Sequence, residues 1–599
     1  MKKLLLIISV TLMLVVGVLL MKPSQTSAQP QTDIHQNVDY TLISNADNAL
    51  TIVVNPVIST TQPERMLTLT TIQQGVQALL TTTLTTMTQT AHLIEHQDNG
   101  VWLLNANLTV NGNLTLTLQP DEVKWLKLRS NASTTPPIVI THPNTICSTV
   151  ATTTYAYDSF VALRVVSATL LISGTRITSW DTVSNTFDTD IYNGRSYVIA
   201  RDAAKMNVIN SDLSYLGSGD SESYGVSWRD DENVDPSKPI LTKPSRVTGD
   251  VISSTFTYNY YGIYTYQAAH MLFRGNQFHH NIGYGFDPHD NSHDFIVEDN
   301  ASFSNGNHGF IISRGCSNFV FRRNKAYNNS NPGDVKNAQG FMLDPGGKCS
   351  ADPQIPAFNN LFTENQAWGN DGYGLRVISS YGNVIQNNLF TANLKGISLE
   401  EADSYSNTLK ANQIVSNTSD GVFVLNDARN NLVEGNTIND NGQHGVYFKG
   451  AVGNRVISNT LAGNAQYGIR SSGSLTDTFK NTWQGNAIYS NALGGVSLPG
   501  TTNGGIKPPQ VFLVSATLIT GTTVPSATVE LFSDVDNQGR FVEGLTTADA
   551  QGNFSFSKAQ WQAKWITAIA TDLSGNSSPF SKLPPRSRAY LPLVIKAQS

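Results

Sequence analysis

The sequence predicts an all-β chain: a solenoid of stacked coils, a parallel β-helix, followed by a small β-sandwich. Three observations predict it. An Asn recurs at Asn276, Asn300, Asn324, Asn365, Asn388, Asn412, Asn436, Asn459 and Asn486, in steps mostly of 23 or 24 residues. A second Asn follows each by five residues, from Asn281 and Asn305 to Asn464 and Asn491, and a Gly usually follows the first by nine, as at Gly285, Gly309, Gly374, Gly421, Gly445 and Gly468. After Gly504 the texture changes to alternating strands and turns.

Between the repeat marks lie short apolar runs with no helical period. Units of this length that read strand–turn–strand bury their apolar faces by stacking on one another. Asn suits the turns because it tolerates the left-handed backbone, and stacked amides hydrogen-bond along a stack. A leucine-rich repeat would need a spaced Leu pattern, which is absent.

The Gly serves as position zero of a ruler. Positions +1 (Ile263, Phe286, Phe310, Phe341, Leu375, Ile397) and +3 (Thr265, Pro288, Ile312, Leu343, Val377, Leu399) are almost all apolar. They face the core, so +2 and +4 face out, because strand side chains alternate. Position +2 reads Tyr264, Asp287, Ile311, Met342, Arg376, and +4 reads Tyr266, His289, Ser313, Asp344, Ile378, Glu400.

The remaining segments follow in order. Residues 1–28 read as a secretory signal peptide: Lys2 and Lys3, an apolar run from Leu4 to Met21, then Thr26-Ser27-Ala28 as cleavage site. The rival is an uncleaved anchor of about 18 residues. The mature chain is expected to be secreted, periplasmic or at the cell surface, a monomer with no membrane attachment. Residues 29–99 are Thr-rich, with "TIQQGVQALL" as a capping helix. Residues 100–504 are the β-helix, its early coils irregular. Two insertions, around 230–246 and 344–358, leave the stack near the outward cluster and can wall it. Residues 505–583 read as an immunoglobulin-like sandwich, and 584–599 as a short tail.

Charge is sparse. Charged residues make up 14% of 599, and the net charge is −6. That balance argues against a nucleic-acid partner, while a local basic groove can still hold an anionic polymer. Three cysteines, Cys147, Cys316 and Cys349, form no disulfide scaffold or CxxC pair. Cys316 and Cys349 fall on adjacent coils and could pair.

Against this background "YGFDPHD", Tyr284 to Asp290, concentrates ionisable groups. Six of the eleven histidines lie between His270 and His308, but their spacing matches no zinc signature. No metal or other cofactor is identified from these residues, and calcium is left open. Asp287 and His289 share an outward strand face with Tyr264 and Tyr266 one coil before and Arg314 one coil after. Clustered titratable groups in a groove are functional candidates.

These residues carry a resemblance. "YGFDPHDNSH", with "NHGFIISRG" after it and "YYGIYTYQA" and "YLGSGDSESYGVSW" before it, is similar to the mannuronan C5-epimerase family over about residues 100–495. The resemblance implies a right-handed parallel β-helix and an alginate-type polyuronate as partner. It implies that His289 and Tyr284 are the acid and base, Asp287 their partner, and Arg314 the group that neutralises the uronate. Tyr264, Tyr266, Asp290, Asp344 and Arg376 are placed as substrate-binding residues. The calcium-binding nonapeptide repeats of some secreted members are absent, so no motif indicates calcium.

The residue types suit the reaction. Removing a proton alpha to an ionised carboxylate builds further negative charge, so a cation must neutralise it. Arg does this through two parallel bonds, with a base on one face of the ring and an acid on the other. His titrates near 6.5 and can be either. Tyr starts near 10 and is ready as an acid. Three rivals remain: a polyuronate lyase using the same base, a hydrolase drawing carboxylates from Asp287, Asp290 and Asp344, and a non-catalytic glycan-binding solenoid.

Overall fold

The computed structural model describes residues 38–582, apart from 45–49, 58–64, 84–91, 132–137, 145–148, 156–158, 192–193, 220–223, 232–243, 335–336, 348–352, 474–477, 514 and 537. The signal peptide, the tail, Cys147, Cys349 and the middle of the first insertion lie outside the described residues.

Each coil contributes a short strand to each of three long sheets. One sheet has 16 strands and a second has 14. The third is a parallel ladder running from Val101–Leu104 to Ala487–Tyr489. In the 16-stranded sheet the first pair is antiparallel and every later one parallel. The stack starts before residue 100: Leu50–Pro56 pairs in parallel with Asn107–Asn111, and Arg65–Leu67 with Leu114–Leu118. A helix, α1 (Leu69–Thr83), closes this end. Its buried residues Leu69, Ile72, Val76 and Leu80 recur at helical spacing and join the β-helix core.

The repeat Asn residues are buried, and each is a hydrogen-bonding hub. The Oδ1 of Asn412 accepts the backbone N–H of Asn388 (3.0 Å) and its Nδ2 (2.9 Å). Asn412 passes the same pair on to Asn436 and donates to Ile385 O (2.8 Å). The Asn281 column does likewise from Asn305 to Asn491. A third column, missed in the sequence, runs Asn360, Asn383, Asn407, Asn431, Asn454, Asn481. The Gly at position zero follows from close approach. A Cβ on Gly374 would lie 2.8 Å from Gly396 O and 3.0 Å from Asn393 Nδ2. Inside, phenylalanines stack coil on coil, as Phe310 on Phe341 (5.1 Å, 9°).

After residue 505 two three-stranded antiparallel sheets share a core of Val511, Ile519, Val529, Leu531, Phe554 and Ala568. Six strands are described here, against seven in the immunoglobulin constant type. This sandwich seals the stack. Both Glu530 oxygens accept the Gly485 N–H (2.9 and 3.0 Å), Gln538 Oε1 accepts Asn491 N–H (2.9 Å), and Asn503 donates to Ser577 O (2.8 Å).

An Asn412→Ala substitution leaves the Asn388 N–H buried without its partner and removes the side-chain bond to the Ile385 carbonyl, which costs about 1–3 kcal/mol for the orphaned donor. A fall in melting temperature of several degrees is expected. An unchanged thermal transition would contradict the hub role.

Candidate active site

Seven successive strands of the 16-stranded sheet carry the cluster: β1 (Val226–Arg229), β2 (Ile263–Tyr266), β3 (Phe286–His289), β4 (Phe310–Ser313), β5 (Phe341–Asp344), β6 (Tyr373–Ile378) and β7 (Lys395–Glu400). Their register matches the ruler. Tyr264 pairs with Asp287 and Tyr266 with His289, while Ile311, Met342, Arg376 and Ser398 follow in line.

The ladder is interrupted between β3 and β4. Phe286 N–H donates to Gly309 O (3.1 Å). Two residues on, Pro288 has no N–H to give, and the pairing stops at Phe286↔Phe310. Bonding resumes at Asn291 N–H to Arg314 O (2.7 Å). On its other edge β3 keeps all four pairs with β2. The proline thus frees one edge of the strand that carries Asp287 and His289.

Left-handed residues turn the chain at this break: Asp290 (φ 39°) and Asn291 (φ 60°) on one coil and Arg314 (φ 45°) on the next. Asp290 Oδ2 accepts the Nδ1–H of His289, and Oδ1 accepts the Nε–H of Arg314 at 2.8 Å. One carboxylate therefore holds both groups across the gap. Arg314 lies along Gly346 (φ 58°), where a Cβ would come within 2.5 Å of its Cγ. Asp344 Oδ1 accepts the Gly346 N–H (3.0 Å). The second insertion returns over this turn: Ile355 N–H bonds Pro345 O and Gly315 N–H bonds Ile355 O, both at 2.9 Å.

An aromatic wall stands beside the break. Tyr284 stacks between Tyr261 (4.8 Å) and His308 (5.2 Å, 14°), and Tyr224 packs against Tyr261 and Tyr264 (4.8 Å each). This wall corrects the expectation that +2 side chains meet solvent. Tyr264, Asp287, Ile311 and Met342 point away from the coil core, yet all four are buried. His289, at 28% side-chain exposure, is the more open group, and Arg314 is 10% exposed.

Burial and charge set the protonation states. Asp287 is pushed up to about 7 by burial, against the pull of His289 and with Asp290 and Asp344 adding to the rise, and its Oδ1 is buried with no hydrogen-bond partner. Burial also raises the Tyr284 phenol, with Asp287 and Asp344 adding. For His289 burial opposes the cation, but the charge and hydrogen bond of Asp290 prevail and its pKa stands above the usual 6.5. Burial likewise opposes ionisation of Asp290, but His289 and Arg314 hold it below the ordinary carboxylate value. Since ionised Asp290 only accepts, Nδ1 of His289 carries the proton and Nε2 is the basic atom when the ring is neutral.

Three of the predicted substrate-binding residues are engaged with protein. Asp290 is the shared anchor of His289 and Arg314, Asp344 caps the Gly346 turn, and Arg376 makes a two-bond pair with Glu400 (2.9 Å each). Tyr266 has Arg229 over its ring at 4.8 Å, and burial, with Asp290 nearby, raises its phenol to about 12. Sequence reasoning gave His308 no role. Its Nδ1 accepts the Gln339 N–H (3.1 Å), and burial, with Arg376 adding, lowers its pKa to about 3, so it stays neutral with Nε2–H as a donor. The available signal was its position just before Gly309, one repeat after Tyr284 before Gly285. Tyr224 and Tyr261 were also missed.

The comparisons with known proteins agree with the motif. A family model described as "Right handed beta helix region" matches residues 179–365, and one described as "Periplasmic copper-binding protein (NosD)" matches 355–500. The mannuronan C5-epimerase of Pseudomonas syringae pv. tomato is 28% identical over 224 residues, 37% of this chain and 38% of that protein. That of Pseudomonas fluorescens is 31% identical over 165 residues, 27% of this chain and 30% of that protein. The similarity is to the mannuronan C5-epimerase family. The match covers well under half the length of these epimerases. The crystal structure of the periplasmic alginate epimerase AlgG aligns with 80% of this chain and 97% of its own, at 18% identity and a TM-score of 0.45.

The raised Asp287 pKa has a sign in stability. The folded chain holds this proton up to about pH 7, so the contribution is full in acid and lost as pH rises through that value. Asp287→Asn is therefore expected to melt several degrees above wild type at about pH 8, with the gap closing near pH 4.5. A gap independent of pH would contradict the buried, proton-holding carboxyl.

Proposed function

We propose that the chain is a C5-epimerase converting β-D-mannuronate to α-L-guluronate within an alginate-type polyuronate. The observation that carries this reading is the shared Asp290 carboxylate, which sets a basic imidazole and a buried guanidinium side by side at a break in the sheet. Similarity to the mannuronan C5-epimerases supports the choice of polymer.

In this reading Nε2 of neutral His289 removes the C5 proton while Asp290 orients the ring and steadies the imidazolium that forms. Arg314 faces the uronate carboxylate and stabilises the charge that builds on it. Tyr284, kept protonated by burial, returns a proton from the other face of the ring. Protonated Asp287 keeps a second buried negative charge out of a site that must admit an anion. His308 adds an uncharged N–H donor. Tyr264 and the neighbouring tyrosines exclude water, which strengthens each of these interactions. Rising pH supplies the base form of His289 as it passes that group's raised pKa and removes the Asp287 proton as it passes about 7, so turnover is bell-shaped in pH.

The chain works outside the cytoplasm, secreted, periplasmic or at the cell surface, as a monomer on an anionic polysaccharide. No helix among the described residues is long and apolar enough to cross a membrane.

Incubation with polymannuronate in D2O, followed by NMR, tests the reading. Deuterium at C5 with new guluronate signals is expected. Unsaturated ends absorbing in the ultraviolet would make it a lyase, and new reducing ends a hydrolase. His289→Ala and Arg314→Ala are each expected to lose about 10²–10⁴-fold in turnover with the melting transition retained. Near-normal turnover in either removes that residue from the mechanism.

A further inference from the structure

We infer that the far end of the same sheet carries a second, non-catalytic binding site for the carboxylated polysaccharide, built on Arg470 and Lys449 between Tyr447 and Tyr467. This rests on the polyuronate reading above.

Beyond β7 the sheet continues through β8 (Val422–Leu425), β9 (Val446–Lys449), β10 (Tyr467–Ser472) and β11 (Gly494–Ser497). The column that holds Asp287 in β3 holds Phe423, Tyr447, Arg470 and Ser497 here, and the column of His289 and Asp344 holds Lys449 and Ser472. These side chains therefore line the same face of the sheet as the site.

Charge separates this patch from the stretch before it. From the site onward, each earlier cation of the sheet face is paired with a carboxylate: Arg314 with Asp290, Arg376 with Glu400, Lys395 with Asp420. Arg470 and Lys449 have no ion-pair partner among the described residues. Arg470 Nη1 makes one long bond, to Ser497 Oγ (3.4 Å), and its guanidinium lies over the Tyr467 ring at 5.8 Å. Lys449 is exposed, while Arg470, Tyr447 and Tyr467 are half-buried. The Tyr447 hydroxyl is held by Ser472 Oγ (2.9 Å), and its ring stacks on Phe423 (5.0 Å).

Two unneutralised cations on a protein of net charge −6 make a local positive field aimed at an anion. A guanidinium beside a fixed ring suits a sugar carboxylate, with the pyranose laid against the tyrosines. Seven strand pairings separate β3 from β10. At about 4.8 Å each the span is roughly 34 Å, so only a long chain engages both sites. Tethering at one raises the effective concentration at the other.

The test is isothermal titration of the full chain and of an Arg470→Ala/Lys449→Ala variant with long polymannuronate, mannuronate trisaccharide and neutral mannan. Wild type is expected to hold the long polymer at least about tenfold more tightly than the trisaccharide. In the double variant most of that advantage disappears, while Arg470→Lys/Lys449→Arg keeps it. Equal long-polymer affinity in wild type and double variant overturns the site, as does equal binding of neutral mannan by wild type. Absence of polyuronate binding to wild type overturns this inference together with the substrate. Length-dependent binding without epimerisation overturns the reaction and leaves the second site standing.

Discussion

The pitch of the coil stack is the constraint on which everything else depends. Buried Asn columns fix it by satisfying, at each turn, backbone groups that the short strands leave over. Asn276 and Asn324, a repeat apart on either side of Asn300, show the economy of the device: one amide accepts twice from the coil before and donates to the coil beyond. With the pitch fixed, residues 23 or 24 apart in sequence become neighbours at strand spacing. A short motif such as "YGFDPHD" can then be completed by side chains contributed one coil earlier and one coil later.

The site is a local exception to that order. Pro288 occupies an inward, apolar position, where it fits, but removes the donor that would carry the ladder on from Phe286 toward β4. Asp290 and Arg314 then take left-handed conformations at adjacent turns, a cost of order 1 kcal/mol or more for a side-chain-bearing residue. The shared carboxylate holds this arrangement together. It orients His289, anchors Arg314 and stays ionised because both partners favour it. Asp287, two residues from His289, is hydrogen-bonded to neither of them and holds a proton. Two carboxyl groups three residues apart thus sit in opposite charge states, each set by its surroundings.

Much of this was legible in the sequence. The repeat gave the coils, the Gly ruler gave the register, and the motif located the cluster with the correct strand faces. Three things were not legible. The third Asn column was missed because it starts only at Asn360, with Phe319 standing at its place in the coil before. The aromatic wall that buries Tyr264 and Asp287 was missed because alternation tells which way a side chain points from the core, and not what covers it. Tyr224 and Tyr261 reach it from different coils. The engagement of Asp290, Asp344 and Arg376 with protein partners depends on turn geometry and on Glu400, which periodicity alone does not arrange. His308 carried a positional signal, yet its neutrality comes from burial and the Gln339 N–H, both properties of the folded chain.

The central claim is that one carboxylate, Asp290, tunes the base of the site. NMR titration of the His289 imidazole, labelled at its ring carbons, tests it in wild type and in Asp290→Asn. The account predicts a wild-type midpoint above 6.5 that drops clearly once the Asp290 charge is removed, since burial and Arg314 then act unopposed by that carboxylate. The same midpoint in both proteins would contradict it.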